Sequence, residues 1–479
     1  MASVIERTIK GGAGFFTASL VKKGFGFLFI VVASRFLGPA EFGVLSLGLS
    51  VTGIARSLAV FGLPNTIQRF LSGEGEDRRS QIYGAILLIG GGIAALSATG
   101  LYIAAPWLSA GFFDEPTLAE PLRILSISVI VGVGAKLLRA VLQAQEEVQK
   151  IVVLDTVRSV GKVLVALLIF LWVRSAAGAA WAVVGAFALG AVVAGHYVRH
   201  LRIHPSLWVS RTEVWRVLEY SVPLVLVGFS YFLSQQADRL MLGWLSDAEE
   251  VGLYTVTSTL AMVMSVLHGS LISIFKPLVS EAYRNNLREE MRSAYLFVSK
   301  WVGAVNGAAL LAFVGTGLWV LGIFGAEYAN TTTYRVLVIL SAMYFISTWV
   351  GPTGALLQMT DGHRVELVNT IIFVCGNIGL NYILIQYYGV LGAAMATFGS
   401  GVFRNVLQVG EIAYWHGFSP FERKNVTILA ITAVGTLGLL VVTPGIFRIS
   451  FALILITLLA SFVLWTATNR EKRALMEAL

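Results

Sequence analysis

Arg35-Phe-Leu-Gly-Pro-Ala-Glu-Phe-Gly43 closes one long apolar stretch and opens the next. A similar pattern returns as Arg239-Leu-Met-Leu-Gly243 followed by Ala248-Glu-Glu-Val-Gly-Leu-Tyr254, with about four extra residues in the turn. Gly178-Ala-Ala-Trp-Ala182 is echoed by Gly392-Ala-Ala-Met-Ala396 at an offset of 214 residues, and Asp155 with Gly161-Lys162 is echoed by Asn369 with Gly376-Asn377. Repeats of this length in an apolar chain point to two pseudo-symmetric helical bundles related by an axis along the membrane normal. The expected fold is all-α and polytopic: an N-terminal six-helix lobe over 1–197, a cytoplasmic linker over 198–216, a C-terminal six-helix lobe over 217–415, and two additional transmembrane helices with a cytoplasmic tail over 416–479.

Composition sets the same frame. The 479 residues are 56% hydrophobic and 13% charged, with a mean hydropathy of +0.78, too apolar for a soluble multidomain enzyme. A membrane-spanning helix needs about 20 apolar residues, and the chain divides into about fourteen such stretches. If the chain starts in the cytoplasm, eighteen Lys and Arg fall in inside connections, among them Arg7, Lys10, Arg202, Arg470, Lys472 and Arg473, and three fall outside: Arg174, Arg239 and Arg448. That asymmetry follows the positive-inside rule and predicts a multi-pass protein of the cell membrane with both termini cytoplasmic. The formal charge of +8 is then partly a topology signal, and no basic-aromatic patch accompanies it, so nucleic acid is not an expected partner. The start MASVIERTIKGG shows no cleavage site, and Lys22-Lys23 interrupt the apolar run, so no cleaved leader is expected. Cys375 is the one cysteine; it excludes an intramolecular disulfide and reads as a small apolar filler.

The remaining fourteen Lys and Arg lie in or against the apolar stretches, ten of them in the first half. A cation near the bilayer centre costs roughly 2.5–3.5 kcal/mol on insertion scales, so such residues face water, a partner or an anionic ligand. At 1.5 Å per residue, Lys22, Lys23, Arg56, Arg158 and Lys162 fall near mid-depth. Arg158 and Lys162 are four apart and share one helix face, where Asp155, three residues earlier, is the single acid available to neutralise them. Lys136 and Arg139, three apart, fall nearer the cytoplasm, where they would meet an entering anion. Arg and Lys together suit a diphosphate, the first as a bidentate fork and the second as a mobile point charge. Secondary candidates are Arg35, Arg69, Asp155, His268, Lys276 and Arg404. For Arg35, Arg69, Arg123, Lys276, Lys300 and Arg335 the competing reading is snorkelling into the headgroups, and for His268 a hydrogen-bonded packing role. For the central five it is a structural ion-pair network. Trp107, Trp208, Trp215 and Trp415 read as interfacial anchors, and Pro64, Pro223, Pro277 and Pro352 as kinks.

With these residues in hand, a family comes into view. Arg35-Phe-Leu-Gly-Pro, Phe42-Gly43, Gly62-Leu-Pro and Arg69-Phe-Leu-Ser72 resemble the first two helices of the polysaccharide-export flippases (Wzx type) of the multidrug/oligosaccharidyl-lipid/polysaccharide superfamily. Ser221-Val-Pro223, Asp238-Arg, Leu242-Gly243, Val251-Gly-Leu-Tyr254 and Pro277-Leu-Val-Ser280 look like that family's second-half signature, and the resemblance covers roughly residues 1–415. It implies a V-shaped pair of bundles around a cavity that opens alternately to each side, and a lipid-diphosphate-linked oligosaccharide carried from the cytoplasmic to the outer leaflet. The implied partners are that substrate, membrane lipids, and a polysaccharide polymerase or glycosyltransferases. The cationic first-half cavity of such proteins corresponds in charge and depth to Lys22, Lys23, Arg56, Lys136, Arg139, Arg158 and Lys162.

Catalysis finds no sequence support. There is no Walker loop, metal-spaced His/Cys cluster or paired carboxylate site, so neither a metal nor another cofactor is expected. Two other readings compete with the flippase. A cation-coupled multidrug exporter on the same fold calls for acids in its spans, where cations dominate here. An integral-membrane glycosyltransferase or polymerase calls for a catalytic acid and a long external loop, and the outward connections are short. Moving a diphosphate outward across a membrane with an inside-negative potential releases about 2.3 kcal/mol per charge per 100 mV, which favours export.

Overall fold

The computed structural model describes residues 2–71, 75–201, 204–206 and 208–467, and the side chains among them from residue 21 onward except 226–228, 230 and 231. Of the residues singled out above, Ser72, Arg202, Arg470, Lys472 and Arg473 lie outside the described residues, as do the side chains of Arg7 and Lys10. The described residues form fifteen α-helices and no strand, so the fold is all-α as the periodicity of apolar stretches requires. Eight of these helices are long and apolar enough to cross a membrane, or ten if each of two bent pairs counts as one span. That number is below the expected fourteen stretches for identifiable reasons. Helix α1 (Ala2–Val60) holds two stretches joined at Gly38, whose φ of 73° and ψ of 174° break the helix immediately before Pro39. The quoted Gly-Pro is therefore the whole turn, and glycine is favoured there because L side chains rarely adopt a positive φ. Helix α5 (Val148–Phe170) carries Asp155, Arg158 and Lys162 within its apolar body.

The chain forms two compact units, Met1–Gly252 and Leu253–Leu479. In the first, α1 packs against α4 (Ala119–Ala144), α5 and α7 (Arg211–Leu245), while α4 lies between α3 (Glu76–Trp107) and α6 (Ala176–Val198). Leu45, Leu47, Leu63, Ile67, Leu125, Val129 and Leu142 are fully buried there, Leu63 and Ile67 coming from the short α2 (Leu63–Leu71). The two copies of the repeated motif meet backbone to backbone. A Cβ on Gly43 would stand 1.6 Å from the Ala248 carbonyl oxygen, and one on Gly252 would stand 2.1 Å from that of Pro39. Each glycine thus meets the residue four places before the other, a reciprocal contact that α8 (Ala248–Met262) opens with.

In the second unit, α10 (Arg288–Gly322) packs against α9 (Ser265–Arg284), α11 (Thr331–Trp349), α14 (Arg423–Val441) and α15 (Ile446–Thr466). Leu311, Val314, Leu439 and Leu459 form one apolar core, and Phe275, Tyr295, Val302 and Leu356 a second. Helix α13 (His363–His416) is divided at Gly389, with φ 53° and ψ −131°. A 41° bend separates α11 from α12 (Thr353–Met359), with Pro352 at the break, whereas the 46° bend between α8 and α9 falls before Ser265. Of the four prolines expected at kinks, Pro352 thus sits at a bend, while Pro277 lies inside the helical α9.

Candidate functional site

The first unit gathers the seven predicted cations from three helices. Lys22, Lys23 and Arg56 come from α1, Lys136 and Arg139 from α4, and Arg158 and Lys162 from α5. Lys22 feels the charges of Arg158, Asp155, Arg139 and Lys23. Lys136 feels Arg56, Lys22, Arg139 and Arg158, and Lys162 feels Arg158 and Arg56. The seven therefore form one electrostatic group, and Asp155 is the one acid acting within it among the described residues. Lys22, Lys23 and Lys136 are exposed, while Arg56, Arg139, Arg158 and Lys162 are half-buried.

Asp155 acts on Arg158 through its charge, but its hydrogen bonds go to another helix. Its carboxylate accepts from Arg139 of α4, at 3.2 Å from Nε to each oxygen and 3.0 Å from Nη2 to Oδ2, in the fork geometry that charge-assisted pairs favour. Helical spacing gave the acid's own neighbours, but the adjacent helix supplies the closer partner. Asp155 is buried and Arg139 remains 29% exposed, so the pair is held on the carboxylate side. We expect Asp155→Asn to lower stability by about 1–3 kcal/mol, the usual cost of losing a charged hydrogen-bond partner. Thermal melting checks it, and Arg139→Gln added to Asp155→Asn should recover part of the loss, since no unpaired charge is then left.

Aromatic rings take the place of the missing carboxylates. The Arg56 guanidinium lies 4.7 Å from the centroid of Phe187 and that of Arg158 lies 5.5 Å from the same ring. The Lys162 ammonium is 3.5 Å from the centroid of Phe29. Such contacts are worth about 0.5–2 kcal/mol and leave the N–H donors free to meet an anion. Two glycines make room for the cation stems: a Cβ on Gly132 would lie 3.1 Å from Arg56 Cδ, and one on Gly190 3.1 Å from Arg158 Cδ. Phe29, Phe187, Gly132 and Gly190 carry no spacing signal, because aromatics and glycines abound along every apolar stretch.

The secondary candidates divide between the units. Arg35 is exposed, and Arg69 lies 4.5 Å over the Tyr220 ring. His268, Lys276 and Arg404 line one cavity of about 310 Å³ in the second unit, together with Glu366, Gln358 and Gln408. Arg404 Nη2 donates to Glu366 Oε1 at 2.5 Å, Gln408 Nε2 to Glu366 Oε2 at 2.6 Å, and Lys276 Nζ to Gln358 Oε1 at 3.0 Å. Lys276 thus lines this cavity and is held there by Gln358. His268 Nδ1 is buried without a hydrogen-bond partner among the described residues. Lys300, expected to snorkel, is 5% exposed and directs Nζ to the Thr466 carbonyl at 3.4 Å. Arg448, assigned above to an outside connection, is also 5% exposed. Cys375 is exposed on α13 rather than filling a gap. Trp107, Trp208, Trp215 and Trp415 are all exposed, as anchors would be. Among the described residues, no group of three or more His, Cys, Asp or Glu could hold a metal ion.

Known proteins resemble the chain in sequence and in fold. A family described as "Polysaccharide biosynthesis protein" matches residues 9–282, more than half of the chain. The "Probable low-salt glycan biosynthesis flippase Agl15" of Haloferax volcanii is 25% identical over 393 residues, covering 80% of this chain and 78% of that protein. The "Lipopolysaccharide biosynthesis protein WzxC" of Escherichia coli (strain K12) is 23% identical over 383 residues, covering 78% and 75%. Among solved structures, the lipid II flippase MurJ in an inward closed conformation superposes with a TM-score of 0.75 at 11% identity, covering 93% of this chain and 98% of that one. An inward-facing multidrug resistance MATE family transporter of the MOP superfamily gives 0.67 at 14% identity, covering 85% and 96%. At such identities the structural likenesses establish the fold: this is a multi-pass membrane protein with the MurJ- and MATE-type helical arrangement.

Proposed function

The chain belongs to the polysaccharide biosynthesis protein family, and from that premise we propose that it is a flippase carrying a polyprenyl-diphosphate-linked oligosaccharide from the cytoplasmic to the outer leaflet by alternating access. It is a transporter and not an enzyme, in keeping with relatives named as a glycan biosynthesis flippase and a succinoglycan biosynthesis transport protein. The observation that carries the reading is the cluster of seven cations served by one carboxylate. Six of them, all but Arg139, have no hydrogen-bonded acid among the described residues, and Arg56, Arg158 and Lys162 lie instead against aromatic rings. A diphosphate supplies the missing negative charge and up to several acceptor oxygens, for which Arg forks and Lys ammonium groups are matched donors. Lys22, Lys23, Arg56, Lys136, Arg139, Arg158 and Lys162 are the residues we assign to it, with Asp155 fixing Arg139.

In this reading the lobes 1–197 and 217–415 are the moving halves, and residues 416–479 are an appendage. Both termini face the cytoplasm in the cytoplasmic membrane, as the Lys and Arg asymmetry of the connections supports. Glycosyltransferases that build the lipid-linked substrate and a polymerase that consumes it are the partners this activity calls for. The exporter alternative shares the fold, but the cation excess in α1, α4 and α5 favours an anionic cargo over a cationic one.

The direct test is reconstitution of the whole chain in liposomes with a lipid-diphosphate oligosaccharide, following its exposure on the opposite leaflet. Equal rates with and without protein would sink the proposal. A narrower expectation concerns Gly190→Val, which keeps every charge but pushes the Arg158 stem from its seat. Exposure should slow about tenfold, the factor that about 1.4 kcal/mol represents, while Gly91→Val, at a position with open space, leaves the rate unchanged.

A further inference from the structure

Arg448 has a setting that the transport reading does not use. It lies in the first turn of α15, is 5% exposed, and is paired with no carboxylate among the described residues. Its Nη2 donates to the Tyr334 hydroxyl, which itself donates to the Val314 carbonyl at 2.8 Å. The guanidinium also lies 5.0 Å from the Tyr334 ring centroid, and its Nε is buried with no acceptor. Tyr334 thus orients the group by a directional relay but brings no negative charge. A buried guanidinium with unmet donors is costly, and the usual remedy is an anion.

The start of α15 adds a second, independent pull on an anion. This helix runs for 21 residues, begins after Gly445 with no side-chain cap, and has no acidic residue in its first turn. The Arg448 and Ile449 N–H groups donate to the Gly445 carbonyl at 3.1 and 3.2 Å, so what this end offers an anion is chiefly the helix dipole, which is positive there. Arg448 and Gly445, the residue that precedes α15, line a single hollow of about 160 Å³ together with Thr316, Trp319, Tyr334 and Pro444. Gly317 of α10 lets the Tyr334 ring pack directly against that helix, since a Cβ there would stand 2.9 Å from the ring. A helix N-terminus joined to an arginine is the arrangement that recurs in phosphate sites.

We propose that Arg448 and the N-terminus of α15 form an anion site for a phosphate group, separate from the cation cluster of the first unit. It lies within a turn of the end of an apolar helix, so a lipid phosphodiester headgroup and free phosphate both reach it. The test uses the full chain in detergent, with three probes added separately: phosphatidylglycerol, a diacylglycerol with the same tails, and inorganic phosphate. Native mass spectrometry and thermal melting are the readouts. Phosphatidylglycerol should bind and raise the melting temperature, diacylglycerol should not, and Arg448→Met should weaken the phosphatidylglycerol effect at least tenfold. A matching response to inorganic phosphate identifies the free ion as a ligand; its absence identifies the lipid. Equal responses in wild type and Arg448→Met, or equal binding of phosphatidylglycerol and diacylglycerol, would overturn the site. Should Arg448→Met fail to fold, Arg448→Lys and Tyr334→Phe take its place. Tyr334→Phe must weaken phosphate binding several-fold and Arg448→Lys must keep part of it, and if neither happens the proposal is also overturned.

Discussion

A chain with Arg56→Gln and Arg158→Gln together should expose lipid-diphosphate oligosaccharide at least 100-fold more slowly than wild type, yet melt at the same temperature or higher. Both side chains reach the Phe187 ring, and neither is hydrogen-bonded to a carboxylate among the described residues, although the Asp155 charge acts on Arg158. Each charged hydrogen bond to an anion is worth about 1.5–3 kcal/mol, so removing two takes away about 3 kcal/mol or more of substrate stabilisation, which is a factor of about 100 or more. The opposite sign for stability follows from the same geometry. Without an anion, Arg56, Arg158, Lys162 and Lys136 repel one another, and neutral amides remove that repulsion. A structural role for these arginines would instead lower melting and transport together. Initial exposure rates in liposomes and melting in detergent separate the two, and a rate within threefold of wild type would remove this pair from the site.

Gly43→Ala should abolish the folded protein. The added methyl would sit 1.6 Å from the Ala248 carbonyl oxygen, and that obstacle is backbone within the first turn of α8, so no side-chain rotation relieves it. Overpacking a core commonly costs about 1–3 kcal/mol, and more where the main chain must move; here α1 and α8 must separate. Gly252→Ala meets Pro39 in the same way at 2.1 Å and should behave alike. Because both substitutions break one contact, the double variant should be little worse than either alone. Gly91→Ala, in open space, is the control and should be neutral or slightly stabilising, as expected for glycine in a helix interior. The yield of monodisperse protein on size exclusion reports all four; normal yield for Gly43→Ala would contradict the packing described.

The repeated Arg35–Gly43 and Arg239–Tyr254 motifs carried much of the architecture, since Gly-Pro punctuation between apolar stretches fixes helix ends whatever the tertiary packing. Relative height along neighbouring helices was equally legible, because 1.5 Å per residue converts position into height. That reasoning brought Lys22, Arg56, Arg158 and Lys162 to similar levels, and the structure has them in electrostatic contact. Facing was not legible. Nothing within α5 says that Asp155 turns to Arg139 of α4, and nothing near Arg448 or Lys300 says that these cations are buried against protein. Phe187 and Phe29 stayed hidden for a related reason: in a chain with 28 phenylalanines, residue type alone cannot tell a ring beside a cation from one facing lipid.

Helix α5 poses a difficulty for biosynthesis. Asp155, Arg158 and Lys162 each oppose partitioning by about 2.5–3.5 kcal/mol at the centre of a lone segment, while a leucine or valine returns only about 0.3–0.6 kcal/mol. Emerging from the ribosome alone, α5 is a poor candidate for release into lipid. Its stabilising neighbours are Arg139 on α4, already made, and Phe187 on α6, made later. The segment should therefore linger at the translocon until α6 is synthesised, so that nascent chains truncated before Ala176 leave α5 extractable by alkali and longer ones do not.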